Sequence, residues 1–220
     1  MTVDAEINAL MEQILLTGTG LAAAGLVTGS WGNISAWLTG KDKFLITPSG
    51  IPYEELTEKD LVLVSKEGTV VWGHRKPSTE LLLHKAIYDS CPDVRAVVHS
   101  HSIYASSFAV AGKPLPPILE DQVQLVGREI PVAKYARAGT AALADCTAKV
   151  LRESGVQAVL LANHGLVAVG ETVAQAYQVC QIVEKTAQIY IMASLIGTPN
   201  LIPDEDLAAL RDSFRKDYGQ

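Results

Sequence analysis

Two histidines placed two residues apart make this chain a candidate metal-binding protein. His99 and His101 follow an apolar run, Arg95 to Val98, that predicts a β-strand. Residues i and i+2 of a strand point to the same face, so both imidazoles can converge on one point. Neutral imidazole is the commonest metal ligand, although two ordinary polar residues at the end of a strand would show the same pattern.

A third histidine has a similar setting. His164 follows a fully apolar strand predicted over residues 158–162, and Gly165 comes directly after it. Three nitrogen ligands with one open position are typical of a catalytic zinc site. The chain has five histidines. The other two are weaker candidates, since His74 lies in a polar loop and His84 lies in a predicted helix one turn after Glu80.

Three loops rich in glycine and hydroxyl groups could bind an anion. They are Thr28–Ser35, Thr47–Gly50 and Lys76–Glu80, and the last opens a predicted helix with Ser78 as its cap. Backbone amides in such loops, together with a helix N-terminus, can hold a phosphate without a basic side chain. Each loop alone is typical of a simple turn or cap, and Glu80 alone is typical of a favourable charge near a helix N-terminus.

The order of predicted elements indicates the fold class. Strands and helices alternate in places, a hairpin is predicted within residues 61–72, and a long helix is predicted over residues 173–196. This mixture favours an α/β sandwich of three layers with a mixed sheet at its centre. No segment is a linker long enough to divide two domains, so a single domain over residues 1–220 is expected.

Composition excludes several classes of protein. The net charge of −6, with acidic and basic residues interspersed, argues against binding to nucleic acid. No apolar run is long enough to span a membrane, and no signal peptide is indicated. The three cysteines, Cys91, Cys146 and Cys180, form no CxxC pair and suggest buried thiols rather than disulfides. A cytoplasmic protein without membrane or nucleic-acid partners is expected.

Taken together in their order, these motifs resemble one known family. The motifs are Gly-Asn-x-Ser at Gly32–Ser35, Thr-Pro-Ser-Gly at Thr47–Gly50, Pro-Ser-Thr-Glu at Pro77–Glu80, the His-x-His pair and the later His-Gly. The chain is similar from Gly29 to Tyr218 to the class II aldolase/epimerase family, and most of all to its aldolases for L-fuculose 1-phosphate. The resemblance implies a three-layer αβα sandwich with a central mixed, largely antiparallel sheet. It also implies a homotetramer with active sites at subunit interfaces.

The resemblance further implies a role for each matching residue. One zinc ion, or alternatively Mn²⁺, Co²⁺ or Fe²⁺, would be bound by His99, His101 and His164. Glu80 would ligate the resting ion and then act as the catalytic base. Tyr218, near the chain end, would serve as an acid/base group in a neighbouring subunit. The phosphate group would be held by residues of the three loops: Ser30, Gly32, Asn33, Ser49, Gly50, Ser78 and Thr79.

The implied reaction is the reversible aldol cleavage of a ketose 1-phosphate to dihydroxyacetone phosphate and an aldehyde. The sugar would be L-fuculose 1-phosphate or a deoxy- or methylthiopentulose 1-phosphate. Glu80 favours an aldolase over an epimerase, since the epimerases of the family carry aspartate at this place. Glu120 occupies the place of a tyrosine in the fuculose-phosphate enzymes, and it is either a catalytic acid/base or a surface residue. An epimerase, dehydratase or decarboxylase stays an alternative, as does a non-catalytic assembly module like the head domain of adducin.

Overall fold

A single eight-stranded sheet forms the centre of the computed structural model, which describes residues 5–217. Its order is β4-β3-β2-β1-β5-β8-β7-β6, and all neighbouring pairs are antiparallel except the parallel pair β6 and β7. This confirms the predicted mixed, largely antiparallel sheet. The strands are β1 (Asn33–Leu38), β2 (Lys43–Ile46), β3 (Val62–Ser65), β4 (Val70–Trp72), β5 (Ala96–Ser100), β6 (Val132–Ala133), β7 (Ala158–Leu161) and β8 (Gly165–Gly170).

Helices cover both faces of the sheet. They are α1 (Ala5–Ala23), α2 (Leu81–Ser90), α3 (Ile103–Ala111), α4 (Glu120–Val126), α5 (Ala141–Ser154), α6 (Val173–Ile196) and α7 (Asp204–Asp217). Helices α1, α3 and α6 pack on one face, and α2 and α5 pack on the other. Successive strand residues alternate between the two apolar clusters, as with Val97 and Val98 in β5. The three-layer prediction is therefore confirmed.

Strand β5 lies in the middle of the sheet and brings three chain segments to one edge. Its antiparallel neighbours are β1 and β8, with Asn33 opposite His99 and Ser100 opposite Leu166. The carboxyl end of β5 therefore lies between the amino ends of β1 and β8. That edge gathers Asn33 and His164, which are 131 positions apart in sequence.

Several element boundaries differ from the prediction. Strand β5 extends to Ser100, so His99 lies inside the strand and His101 just beyond its end. Helix α2 begins at Leu81 with Glu80 as its N-cap residue, so the prediction that Ser78 caps this helix was wrong. The Ser78 hydroxyl instead accepts a hydrogen bond from the Glu80 backbone amide at 3.2 Å. Strand β8 and helix α4 were not predicted. Within residues 5–217, no helix is both long and apolar enough to span a membrane.

Candidate metal centre and surrounding cavity

Three histidines converge at the edge formed by β1, β5 and β8. One nitrogen from each of His99, His101 and His164 lies within 4.8 Å of the other two, and no other group of this kind occurs in the described part of the chain. The Nε2 atoms of His99 and His101 are 2.9 Å apart, and the ring centroids of His99 and His164 are 4.8 Å apart. His99 is fully buried, whereas the other two are partly exposed. The arrangement can hold a divalent cation with access for a further ligand.

Backbone contacts orient the His99 ring. Its Nδ1 lies 2.9 Å from the Leu166 carbonyl oxygen and donates a hydrogen bond to it. With the proton on Nδ1, the lone pair of a neutral imidazole is on Nε2, the atom that faces the other histidines. The pairing of β5 with β8 therefore selects which nitrogen is available to a metal ion.

A glycine permits the close approach of the His164 loop to β5. A Cβ atom on Gly165 would lie 2.4 Å from the Ser100 carbonyl oxygen and 3.1 Å from Cδ2 of His101. The preceding Asn163 has a φ of +57°, a left-handed conformation that asparagine tolerates better than most residues. The Asn-His-Gly sequence thus supplies the turn and the space that bring His164 to the other two rings.

Glu80 projects from the start of α2 toward the histidines. It is 5% exposed, and its Oε2 is 3.1 Å from Nε2 of His99, while its Oε1 is 3.6 Å from Nε2 of His164. Oε2 also accepts a hydrogen bond from Nδ2 of Asn33 at 2.9 Å, whereas Oε1 accepts none. The carboxylate therefore has one oxygen held by the protein and one available to a ligand.

The electrostatics keep Glu80, His101 and His164 in the forms that bind a cation. Burial would lower the pKa of His99, but the charge and hydrogen bond of Glu80 raise it above its usual value. Burial would raise the pKa of Glu80, but the charge and hydrogen bond of His99 and the Asn33 amide hold it well below its usual value. Burial and then the neighbouring His99 lower the pKa of His101 to about 3 and that of His164 to about 4. Near pH 7 the site therefore presents a carboxylate and two neutral imidazoles.

The loops predicted to bind phosphate meet beside these groups. A cavity of about 210 Å³ has walls that include Glu80, His101, His164 and Trp31. The remaining walls include every residue predicted for the phosphate site: Ser30, Gly32, Asn33, Ser49, Gly50, Ser78 and Thr79. Ser49 joins two of the loops, since its hydroxyl accepts a hydrogen bond from the Thr79 amide at 3.0 Å.

The side chain of Asn33 has partners that the sequence did not indicate. Besides donating to Glu80, it places Oδ1 2.5 Å from Nε2 of His84, and Nδ1 of His84 is 2.6 Å from the Ser35 hydroxyl. The Ser35 hydroxyl is in turn 2.6 Å from that of Tyr88. Both polar groups of the Asn33 side chain are therefore used inside the protein. The only sequence signals for this network were the Gly-Asn-x-Ser motif and a histidine one turn after Glu80.

Two other predicted residues are not at this cavity. Glu120 is exposed at the first position of α4 and lines a separate groove with Ile118 and Leu201. Within one chain, the structure therefore does not bring Glu120 to the histidines. Tyr218 lies outside the described residues. His74 is exposed in the loop before α2, 4.0 Å from Asp60.

Comparisons with known proteins agree in sequence and in fold. Residues 12–191 match the family model for the class II aldolase and adducin N-terminal domain. The chain is 36% identical over 209 residues to a 5-deoxy-D-ribulose 1-phosphate aldolase from Bacillus thuringiensis serovar kurstaki, covering 95% of this chain and 96% of the relative. It is 36% identical over 215 residues to an L-fuculose phosphate aldolase from Escherichia coli O6:H1, covering 97% of both.

A solved structure gives the same result. An L-fuculose 1-phosphate aldolase superimposes with a TM-score of 0.90 at 34% identity, over 97% of this chain and 98% of the other. The agreement extends over nearly the full length of both chains. The family-model match over residues 12–191 includes the sheet edge and all three loops around the cavity.

Proposed function

The chain belongs to the class II aldolase and adducin N-terminal domain family, and we propose that it cleaves a ketose 1-phosphate reversibly to dihydroxyacetone phosphate and an aldehyde. The observation that carries this proposal is that the cluster of three histidines, through His101 and His164, shares one cavity with Glu80 and three small polar loops. A metal-binding group and an anion-binding group side by side suit a substrate with a carbonyl and a phosphate. The resemblance to aldolases named for ketose 1-phosphates supports the same reaction.

The residues present fit a divalent metal ion. His99, His101 and His164 offer nitrogen ligands, and Oε1 of Glu80 and Nδ1 of His164 are buried without a hydrogen-bond partner. Three nitrogens with an additional carboxylate oxygen suit zinc, while Mn²⁺, Co²⁺ and Fe²⁺ accept similar ligands. When bound, such an ion polarises the substrate carbonyl and stabilises the negative charge that develops on it.

The phosphate group would be bound by the loops of the cavity. No lysine or arginine is among the described residues that line this cavity. Four residues with hydroxyl groups do line it: Ser30, Ser49, Ser78 and Thr79. Hydroxyls and backbone amides can bind phosphate without a cationic side chain, and the N-terminus of α2 adds the positive end of a helix dipole. The substrate would lie with its phosphate at these loops and its carbonyl toward the histidines.

Glu80 is the proposed base. In the condensation direction its Oε1 takes a proton from C3 of dihydroxyacetone phosphate, and in the cleavage direction it returns that proton to the same carbon. The low pKa of Glu80 makes it a weak base while it faces His99. The reaction therefore requires that the carboxylate be released from the charge of His99 as the substrate enters, which raises the basicity of Glu80.

The aldehyde end of the site requires a second acid/base group. An acid must protonate the aldehyde oxygen during condensation, and Tyr218 of a neighbouring subunit in a homotetramer is the proposed group. Glu120 is the second candidate. It could act only if subunit assembly places its groove beside the cavity of another subunit. A cytoplasmic enzyme of one domain completes the proposal.

A product assay tests the proposed function. Purified protein loaded with zinc is incubated with L-fuculose 1-phosphate, 5-deoxyribulose 1-phosphate and 5-methylthioribulose 1-phosphate, and released dihydroxyacetone phosphate is measured with a coupled reductase. Release from at least one sugar is expected. An epimer, a dehydrated ketone or carbon dioxide without dihydroxyacetone phosphate would replace the aldolase by another enzyme. No metal binding and no turnover would favour the assembly module.

A further inference from the structure

A chain of hydrogen bonds runs from Glu80 into the interior between β1 and α2. It passes from Oε2 of Glu80 to Asn33, then to His84, Ser35 and Tyr88, with successive distances of 2.9, 2.5, 2.6 and 2.6 Å. None of the five side chains is more than 7% exposed, and His84 and Ser35 are fully buried. The three residues beyond Asn33 line neither the metal centre nor the cavity.

The charge on Glu80 fixes which group donates and which accepts in each of these hydrogen bonds. A carboxylate only accepts hydrogen bonds, so Asn33 must turn its amide nitrogen toward Glu80 and its oxygen toward His84. Nε2 of His84 must then carry a proton to donate to that oxygen, which leaves Nδ1 as an acceptor for the Ser35 hydroxyl. The Ser35 oxygen in turn accepts from the Tyr88 hydroxyl. Every donor has an acceptor in this arrangement.

We propose that His84 is a positioning residue for the base Glu80, and that it acts through Asn33. By donating from Nε2, His84 keeps the Asn33 amide from rotating, so that its nitrogen holds Oε2 and leaves Oε1 available for proton transfer. The inference rests on the proposed function, because it assigns His84 to the step in which Glu80 takes the substrate proton. His84 itself touches neither substrate nor metal.

The state of His84 agrees with this role. Burial is the largest influence on His84 and lowers its pKa to about 3. The ring is therefore neutral near pH 7. A neutral ring has one donor and one acceptor nitrogen, as the chain requires, whereas a cationic ring would have two donors. Simple filling of the interior needs no such matching, because an apolar side chain of similar volume would pack against β1 without polar partners.

Two substitutions separate positioning from packing. His84→Gln keeps a donor amide that can reach Oδ1 of Asn33, whereas His84→Leu fills the space without a donor. The matched control is Thr186→Val, which removes a fully buried hydroxyl from α6 on the other face of the sheet. The measured quantities are kcat and KM for cleavage, and the rate at which the C3 proton of dihydroxyacetone phosphate exchanges with deuterium from solvent.

The exchange rate isolates proton removal from carbon–carbon chemistry. For His84→Leu we expect the exchange rate and kcat to fall by about 100-fold, the lower range for loss of general base catalysis, with KM and bound zinc unchanged. For His84→Gln we expect kcat and the exchange rate to lie within about tenfold of wild type, which is the loss expected for one imperfect hydrogen bond. Equal rates in His84→Leu and Thr186→Val would overturn the inference, as would equal losses in the Gln and Leu variants.

Nitrogen NMR gives a readout that does not depend on activity. In metal-free protein labelled with 15N-histidine, the ring signals of His84 are identified by their loss in His84→Gln. One protonated nitrogen, Nε2, and one unprotonated nitrogen, Nδ1, are expected near pH 7. A proton on Nδ1 alone, or on both nitrogens, would overturn the inference.

Failure of the proposed function looks different. If wild-type enzyme loaded with zinc neither releases dihydroxyacetone phosphate nor exchanges its C3 proton, the aldolase proposal fails, and with it the role of His84 in proton removal. If wild type is active but the His84 variants follow the control, only the inference about His84 fails.

Discussion

Glu80 and His99 form a buried pair in which Oε2 of the carboxylate lies 3.1 Å from Nε2 of the imidazole. The same oxygen accepts a hydrogen bond from Asn33, so the two oxygens of Glu80 are in different environments. A carboxylate held at one oxygen keeps its position when a ligand arrives at the other. This difference connects the metal centre with the proposed proton transfer, and the expected effects of several substitutions depend on it.

Replacing Glu80 with glutamine should remove turnover without removing the metal. Glu80→Gln keeps the size of the side chain and can still lie against His99, but it cannot accept the substrate proton. Because a positioned base contributes about 100- to 10,000-fold, we expect kcat to fall by at least about 100-fold. Bound zinc, measured by atomic absorption, should stay near one ion per chain because three histidines remain.

The control for this experiment is Glu153→Gln on the exposed side of α5, which should keep full activity. Its partner Lys149 is 4.0 Å away and both side chains are largely exposed, so the fold does not depend on the pair. Turnover of Glu80→Gln within a few-fold of this control would show that another group is the base.

Removing the metal should lower the thermal stability of the protein. An ion at about 100 times its dissociation constant adds about 2.7 kcal/mol to the free energy of unfolding. For a domain of this size that corresponds to a Tm higher by about 5–10 °C. Calorimetry with and without a chelator measures the shift. In His101→Ala the chelator should change the Tm very little. In His74→Ala, which changes an exposed residue beside Asp60, the chelator should lower the Tm as much as in wild type. A chelator that leaves the Tm of wild type unchanged would argue against a bound ion.

The sequence predicted the metal centre better than it predicted what supports Glu80. His99, His101 and His164 could be grouped because each stands next to an apolar strand, and the antiparallel pairing of β5 with β8 brings their ends together. The Asn33–His84 contact joins residues 51 positions apart on a strand and a helix. A spacing rule along one element does not predict such a contact, because it arises only when α2 packs on the sheet.

Other differences have local causes. Strand β8 was missed because it begins directly after His164 and both its first and last residues are glycines, which usually indicate turns. Ser78 has the side chain of a helix cap, but its bond to the Glu80 amide forms a turn before the helix, which moves the start of α2 to Leu81. Glu120 was placed by its position in the motif order, which gives no information about where α4 lies in space.

The stability of metal-free protein should depend on pH through His84. Its pKa falls from about 6.5 in the unfolded chain to about 3 in the fold, chiefly because burial disfavours the cation. Between these values the unfolded state binds one more proton than the native state, so acidification lowers the free energy of unfolding by up to about 1.4 kcal/mol per pH unit from this group. His84→Gln lacks this contribution, and its stability should fall less steeply with acidification.

Urea unfolding of chelated protein between pH 7 and pH 5 measures the difference in slope. The contribution of Glu80 to stability does not interfere. A carboxyl group with a lowered pKa loses its stabilising effect only as pH falls below about 4.3, the pKa of free glutamate. His99, His101 and His164 are present in both proteins, so their own changes in proton binding cancel to first order. Parallel profiles for wild type and His84→Gln would show that His84 takes up no proton on unfolding in this range.

Gly165 should be sensitive to substitution because it is buried in close contact with β5. In Gly165→Ala the new methyl group would meet the Ser100 carbonyl oxygen at 2.4 Å, and neither backbone segment can move without breaking the pairing of β5 with β8. Overpacking of this kind costs about 1–3 kcal/mol, and the displaced loop carries His164 away from the other two histidines. We therefore expect weaker zinc binding together with a lower free energy of unfolding.

Gly197→Ala, where a methyl group meets no atom within 4 Å, is the matched control. Zinc titration and urea unfolding of both variants measure the two effects, and an unchanged zinc affinity in Gly165→Ala would mean that the position of His164 does not depend on this close contact.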